Sequence, residues 1–546
     1  MSSRERLLVL AALCAGALVV GVELMVTAVA LPAILTDLAD WTQLPRASWI
    51  VNGYLLAYIA TMPLAGKAAD RFGVSRLFML SLGAFAVGSI LSGAAQTLDQ
   101  LIAARVVQGV GAGAILPLAT AGASHLYSGH ERDRALGAVG AFTFLGMAMG
   151  PFLGATVLEW FELEPAMRSI GMGHTTMAAF VSPAWRWAFY LGAPLAIIAL
   201  SCVWAAAPDW SAMGSRTAGR IDAIGAALFT SALALGLLAV TSLPDLTEPG
   251  TVPIALIAGA GAIFLGGLAA WRFANTPEPF LDLRWLRNRV FAGAVLVSLL
   301  TGFALATVII GAAVYVDRVR YAGPDEQRLV LGTLALAMSG GALGSGFALR
   351  VVRVVPLSLT GLLLSVVGLV LLALNRPETP LWLLLVGLAL FGAGFGLTVT
   401  PRSSAAMDAL GRGAFGMASA GVTVARMIGM AIGLAVLTGF GTSRIEALSV
   451  VLTDQAARDA VLPPALQGRP LGDPLVIAAL ETFASGQAAA ILSGLFLVSS
   501  AVLLAAILPT LLMHGPRRLP GRATIAADDA DEGEGETEEA RPALAL

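Results

Sequence analysis

Apolar residues in this chain fall in blocks of about 20, and a block of that length crosses a roughly 30 Å hydrocarbon layer as a helix. Fourteen blocks are marked, near residues 8–32, 49–66, 77–96, 101–121, 135–157, 187–207 and 222–243, then 253–273, 290–315, 329–351, 356–374, 381–401, 415–441 and 487–512. In lipid every backbone polar group must be satisfied within the protein, so these segments predict an all-α integral membrane bundle. With 57% of the 546 residues hydrophobic and 12% charged, the composition agrees with that and excludes an ordinary soluble domain. The first block is too long for a signal-peptide core and lacks a convincing small-residue cleavage site, so it reads as a retained helix.

An even number of spans places both termini on one side. Arg4 and Arg6 at the start and Arg517, Arg518 and Arg522 near the end assign that side to the cytoplasm. On this topology about 21 of the 33 Lys and Arg residues lie inside, as the positive-inside rule requires of a multi-pass inner-membrane protein. Two long outer segments follow, 158–186 and 442–486. The second contains "VLPPALQGRPLGDP", which is loop composition. The acidic, small-residue tail cannot bury enough apolar surface to fold and reads as disordered.

Two parts of the chain echo each other. "GVGAGAILP" in the fourth block resembles "GAGFGLTVTP" in the twelfth, and Gly146, Gly150 and Gly154 in the fifth resemble Gly429 and Gly433 in the thirteenth. The division that follows is a six-helix bundle over 1–210, two inserted linking helices over 211–283, a second six-helix bundle over 284–513 and an acidic cytoplasmic tail over 514–546.

Several function classes find no support. Cys14 and Cys202 both lie in predicted spans, which suggests neither a disulfide framework nor a zinc site. His125, His130, Glu131, Arg132, Asp133 and Arg134 cluster after the fourth block without regular ligand spacing, so they read as a solvated loop and no metal is expected. No nucleotide-binding glycine loop followed by Lys-Ser/Thr is present, and no nucleophile, base and orienting acid stand together. We therefore expect no enzyme, no ATP, no nucleic-acid partner and no cofactor, with the proton gradient as the energy source. Asp222 in "RIDAIG" reads as a helix cap.

Glu23 is the one acid well inside a span, about 22 Å along the first helix at 1.5 Å per residue. A charge at mid-helix costs about 2.5 to 3.5 kcal/mol on insertion scales, so an acid retained there is a functional candidate. Burial and a neighbouring cation act in opposite directions on its proton affinity. Arg105, in the fourth block with Gln108 one turn on, is the natural partner and keeps its charge near neutrality. Glu23 is expected to carry the proton and Arg105 to tune it. Arg426 is a second embedded cation, able to hold an anionic substrate or to bond helix carbonyls.

Two glycine-containing motifs complete the reading. "GKAADRFGVSR", residues 66–76, places Gly66, Asp70, Arg71, Gly73 and Arg76 at a cytoplasmic turn. There Asp70 can bond a neighbouring helix N-terminus, and Arg71 can pair with an acid such as Glu131 or Asp133. In "GMAMGPFLGA" Gly146, Gly150 and Gly154 share one helix face that permits close backbone approach, and Pro151 can bend the helix. The expected partner of that face is a helix of the opposite half.

These motifs carry a resemblance. The 66–76 stretch resembles the signature loop of the major facilitator superfamily, and with fourteen blocks the chain resembles its fourteen-helix drug/proton antiporter family. "VELMVTAVALP", "ASWIVNGYLLAY", "LIAARVVQGVGAG", "WRWAFYLGAP", "PFLDLRWLRNRVF" and "GMASAGVTVARMIGMAIG" are similar to further family signatures. Glu23 stands where the family usually has Asp, Gly192 where it usually has Asn, and the 158–186 loop is longer than usual. The resemblance implies two six-helix bundles plus two linking helices, a proton-coupling role for Arg105, and an exporter motif in the fifth helix.

The resulting expectation is a proton-coupled secondary exporter that moves amphipathic or lipophilic small molecules, drugs or dyes, out of the cytoplasm by alternating access. Its alternative is a dedicated exporter of one endogenous metabolite or lipid. A non-transporting scaffold or receptor on the same fold is the rival from another class. Tyr54, Tyr58, Phe142, Phe144, Met147, Phe303 and Phe395 are candidate substrate-lining residues, because aromatic rings and Met accommodate varied apolar shapes. Expected partners are the substrate, protons and the bilayer. The sequence leaves oligomeric state open, and a monomer suffices.

Overall fold

The computed structural model describes residues 3–38, 49–161, 180–205, 222–241, 251–277, 281–411, 414–453, 455–470 and 472–514, with isolated positions between them. The main helices are α1 (Ser3–Leu38), α2 (Trp49–Phe72), α3 (Val74–Ala94), α4 (Leu98–Leu126), α5 (Gly129–Trp160), α6 (Ala184–Ala205) and α7 (Ala223–Thr241). They continue as α8 (Thr251–Asn275), α9 (Arg289–Val314), α10 (Pro324–Ala348), α11 (Val354–Ala373), α12 (Leu381–Leu410), α13 (Phe415–Thr453) and α14 (Pro474–Ala505). No strand occurs among the described residues.

Among the described residues thirteen helices are long and apolar enough to cross a membrane. The remaining expected span is α7, whose apolar stretch is the shorter Ala223–Gly236. The expectation of fourteen spans thus becomes thirteen plus one shorter apolar helix. α7 itself runs 19 residues, about 28 Å of rise, close to the thickness of the hydrocarbon layer.

Two expected loops are mostly helix. The 442–486 segment continues α13 to Thr453, adds a short helix Gln455–Val461, and starts α14 at Pro474. Its "SRIEALSVVLTDQAARDAV" is rich in Ala, Leu, Glu, Gln and Arg, which favour helix, and the Pro–Gly composition confines the break to the turn around Gly468, at φ +74°. α13, at 39 residues, is about 58 Å long and extends well past the bilayer. The 66–76 motif is likewise helical on both sides of a single break. Gly73, at φ +88°, donates its amide to the Ala69 carbonyl at 3.0 Å, and α3 begins at the next residue.

Small residues set the packing, because in lipid close backbone approach drives helix association. A Cβ on Gly109 or Gly113 of α4 would overlap the Tyr54 or Tyr58 carbonyl of α2, and one on Gly111 would meet Ser81 and Phe85 of α3. In the second half, Gly392 and Gly396 of α12 lie against Leu334 and Met338 of α10, and Gly394 lies against Gly361 of α11. The same correspondence relates α5 on α1 to α13 on α9. Gly146 and Gly150 meet Leu18 and Val22, as Gly429 and Gly433 meet Leu299 and Phe303.

That pairing corrects one expectation: the Gly146–Gly150 face packs on α1 of its own half. Contact with the opposite half uses another face of α5, where Gly137 lies against the Ala342 carbonyl and Gly140 against Val399. Gly154 and Pro151 are buried within α5. α7 and α8 pack on each other, with Arg272 Nε bonding Asp222 Oδ1 at 2.8 Å. The same carboxylate oxygen accepts the Gly225 amide at 2.9 Å and so caps α7. Lys67 Nζ donates to the Pro279 carbonyl and ties the following connection to the end of α2. The expected acidic tail from residue 515 onward, with Arg517, Arg518 and Arg522, lies outside the described residues, as does much of 158–186.

Candidate functional site: a buried ion pair beside the interface between halves

Glu23 projects from α1 into a fully enclosed polar cluster. Its Oε1 accepts a hydrogen bond from Arg105 Nη1 of α4, and a second from Thr27 Oγ1 at 3.1 Å. The same Arg105 nitrogen donates to Gln108 Oε1 at 2.6 Å, and Arg105 Nε donates to the Ile50 carbonyl at 3.3 Å. Gln108 Nε2 then donates to Ser89 Oγ on α3 at 2.8 Å. Glu23, Arg105 and Gln108 are 2%, 1% and 0% exposed, so this charge pair is removed from both water and lipid. Buried pairs of this kind survive only when the remaining polar atoms are satisfied, as here. Gly192 of α6 leaves the space beside Ser89 Oγ, which a Cβ would enter.

The cluster belongs to one half alone. In the register of the glycine contacts, Glu23 corresponds to Ala304 of α9 and Arg105 to Leu388 of α12. The repeated architecture is therefore kept while the charge pair is confined to the first half. Helix packing does not require the pair, because the second half packs in the same way without it.

Aromatic rings lead from the pair to the other half. The Arg105 guanidinium carbon lies 4.1 Å from the Tyr54 ring centre and 5.3 Å from that of Phe189. Tyr54 stacks on Tyr58 at 5.8 Å, one turn further along α2. Both tyrosine hydroxyls are buried and, among the described residues, without a hydrogen-bond partner. Arg426 of α13 acts electrostatically on Tyr58 and on Arg402 of α12.

The candidate lining residues divide. Phe144 and Phe395 meet edge to face at 5.7 Å across the interface between halves, in one cluster with Met147. Phe303 is buried on α9, and its backbone is what Gly429 and Gly433 pack against. Phe142 is 38% exposed on α5 and lies away from that cluster.

At the end bearing the Gly73 turn the halves meet closely. A Cβ on Gly66 would approach the Gly416 carbonyl of α13 to 2.6 Å. Thr120 Oγ1 and Ser419 Oγ share a hydrogen bond, and Ser124 Oγ lies 2.6 Å from Met407 Sδ. Arg132 pairs with Asp408, and Ser404 Oγ donates to Asp133 Oδ1 at 2.7 Å. A polar cleft of about 250 Å³ beside them is lined by residues including Arg6, His125, Glu131, Arg132 and Phe415. His125 packs its ring on Phe415 at 5.1 Å. No grouping able to hold a metal occurs among the described residues.

The expected bond from Arg71 to Glu131 or Asp133 is not formed. Arg71 lies 5.0 Å from the Phe72 ring centre, while Asp133 is buried against Ser404, with His130 Nδ1 at 4.0 Å. Gly73 is open and Arg76 exposed, and the Asp70 side chain lies outside the described residues. Sequence reasoning missed Arg402, because the twelfth block was ended at residue 401, one position short of it. Asp408 was missed with it, since α12 continues to Leu410.

The family model of the Major Facilitator Superfamily matches residues 13–434. The chain belongs to the major facilitator superfamily. It is 35% identical over 440 residues to a triacylglyceride transporter of Mycolicibacterium hassiacum, covering 78% of this chain and 76% of that protein. It is 30% identical over 444 residues to a triacylglyceride transporter of Mycobacterium tuberculosis, covering 77% and 79%. Among solved structures, a bacterial homologue of the human lysosomal transporter Spinster, inward-facing and unoccupied, matches with a TM-score of 0.57 at 16% identity, covering 94% of this chain and all of that one. The proton:xylose symporter XylE matches with a TM-score of 0.53 at 14% identity, covering 92% and 96%. These two likenesses show the shared fold. The protein is a multi-pass membrane transporter of this superfamily.

Proposed function

We propose that this protein is a proton-coupled exporter of a lipid or lipid-like amphiphile, working by alternating access between its two halves. The observation that carries the coupling is the Glu23–Arg105 pair, buried in one half of a repeated fold whose other half packs without it. Glu23 binds and releases the proton. Arg105, held by Ile50 and Gln108, supplies the counter-charge when the proton leaves.

The substrate reading rests on the relatives' names and on an apolar interface. The relatives carry the name triacylglyceride transporter, which favours the lipid alternative over drugs and dyes. The central contact between halves is apolar and aromatic, through Phe144, Met147 and Phe395, as a lipid chain requires. The cross-half contacts at the Gly73 end close that end, which the charge distribution assigns to the cytoplasm. The glycine face of α5 bears on α1 and transmits movement of α5 to the helix that carries Glu23.

The test is transport by the purified protein in liposomes of a fluorescent lipid, supplied both as a triacylglyceride and as an anionic fatty acid, and in parallel of a lipophilic cationic dye, with and without an imposed pH gradient. Gradient-dependent movement of the lipid is the expected result. Movement of the dye alone returns the reading to drug export, and gradient-independent lipid movement removes proton coupling.

A further inference from the structure

Among the described residues, two membrane-embedded cations of the second half have no protein counter-charge. Arg402 is 1% exposed. It donates from Nη1 to Thr301 Oγ1 of α9 at 2.6 Å, and its Nε has no partner. Arg426 is 9% exposed, its Nε is unpartnered, and no hydrogen bond or ion pair engages it among the described residues. The two approach the same turn of α9, since Gly302, next to Thr301, packs on the Arg426 backbone carbonyl. Their positions in the repeat correspond to Ala119 and Thr143 of the first half, so the fold itself does not demand either charge.

Burying guanidinium groups that repel each other without a carboxylate is unfavourable, and a charge retained inside a membrane span is a functional candidate by default. Glu23 does not supply the counter-charge, because its charge is already paired with Arg105. Tyr58, across the interface between halves, contributes a buried hydroxyl without a partner, within electrostatic reach of Arg426. Next to these donors, the Arg402 guanidinium carbon lies 5.3 Å from the Phe395 ring centre. Phe395 in turn joins the Phe144 and Met147 cluster.

We propose that Arg402, Arg426 and the Tyr58 hydroxyl form a head-group site for an anionic amphiphile, and that the Phe144–Met147–Phe395 cluster takes the start of its acyl chain. This rests on the lipid-export reading and narrows it to a substrate with a single anionic head group, a carboxylate or a phosphate. Guanidinium forks match either group, and the tyrosine adds a donor that a neutral ester would not require. The site also has a route to the proton. Tyr58 stacks on Tyr54, and Tyr54 lies under Arg105, so a packed series runs from the proposed site's tyrosine to the partner of Glu23.

The test is binding to the purified protein in lipid nanodiscs of oleate, oleyl phosphate and oleyl alcohol, with butyrate and inorganic phosphate as competitors. Oleate or oleyl phosphate should bind at least about tenfold more tightly than the alcohol. The better of the two identifies the head group. Arg426→Gln and Arg402→Gln should erase that preference and leave alcohol binding unchanged, and Arg402→Lys should restore part of it. Equal binding of all three chains by the wild type overturns the head-group site and leaves lipid export standing. Binding of the short anions with no gain from the oleyl chain keeps the anion site and overturns the lipid reading. No binding of any probe overturns both.

Discussion

Arg105 of α4 holds Glu23 of α1 by a hydrogen bond while its guanidinium lies over the Tyr54 ring of α2, so one side chain joins three helices around the buried acid. Any movement of α1 relative to α4 must change the setting of that acid. A second face of α1 is packed against the glycines of α5. The acid is therefore coupled to helix position from two sides.

The first prediction concerns that glycine face. A Cβ at Gly146 would overlap the Leu18 carbonyl, and one at Gly150 would approach Met25 Cβ to 2.6 Å. The obstacle at Gly146 is backbone, which side-chain rotation cannot clear. Gly146→Val should cost roughly 1 to 3 kcal/mol, the usual range for overpacking, and lower the thermal midpoint in detergent. Gly340→Ala, in the interior of α10 with nothing within reach of a Cβ, is the control and should leave the midpoint unchanged or raise it slightly.

The second concerns the closed end. Arg132 and Asp408 pair across the halves with Asp408 44% exposed, so solvent screening limits the pair to about 1 kcal/mol at most. Asp408→Asn should therefore shift the population toward the inward-open state by up to about fivefold. Spin labels on the ends of α4 and α12 would report this as a larger share of long distances. An unchanged distribution would show that Gly66–Gly416 and the serine contacts close this end without the ion pair.

The third is a pH dependence outside the membrane. The Leu475 amide, with Arg469 beside it, holds Asp473 below the usual carboxylate range, and Asp473 caps the start of α14. A carboxylate with a depressed folded-state pKa contributes its stability above the unfolded value, and that contribution is lost as pH falls through the folded value. Hydrogen-exchange protection at the start of α14 should therefore fall in acid, below the ordinary Asp range. In Asp473→Ala the protection should be low at every pH.

Much of this organisation was legible in the sequence, because apolar length and glycine spacing are local signals. The blocks located the spanning helices, and an acid and an arginine standing alone in apolar surroundings marked Glu23 and Arg105. Sequence did not show which face of α5 met which helix. Gly146 and Gly137 are equally small, and only three-dimensional packing places the first on α1 and the second on α10. The extension of α13 was hidden because Thr, Ser, Arg and Glu interrupt the apolar run after residue 441, and a broken apolar run alone does not separate a continuing helix from a loop. Arg402 and Asp408 were obscured at a block boundary, where falling hydropathy looks like the end of a helix although α12 runs to Leu410.

The central claim is that Glu23 carries the proton that drives export. Glu23→Gln keeps the size and the acceptor oxygen facing Arg105 and Thr27 but cannot ionise. Wild type and variant, reconstituted side by side in liposomes with a fluorescent lipid, should be compared with and without a pH gradient. The account predicts that the gradient accelerates lipid movement by the wild type and leaves the folded variant at its gradient-free rate. Equal acceleration of both proteins would contradict it and remove Glu23 from the coupling mechanism.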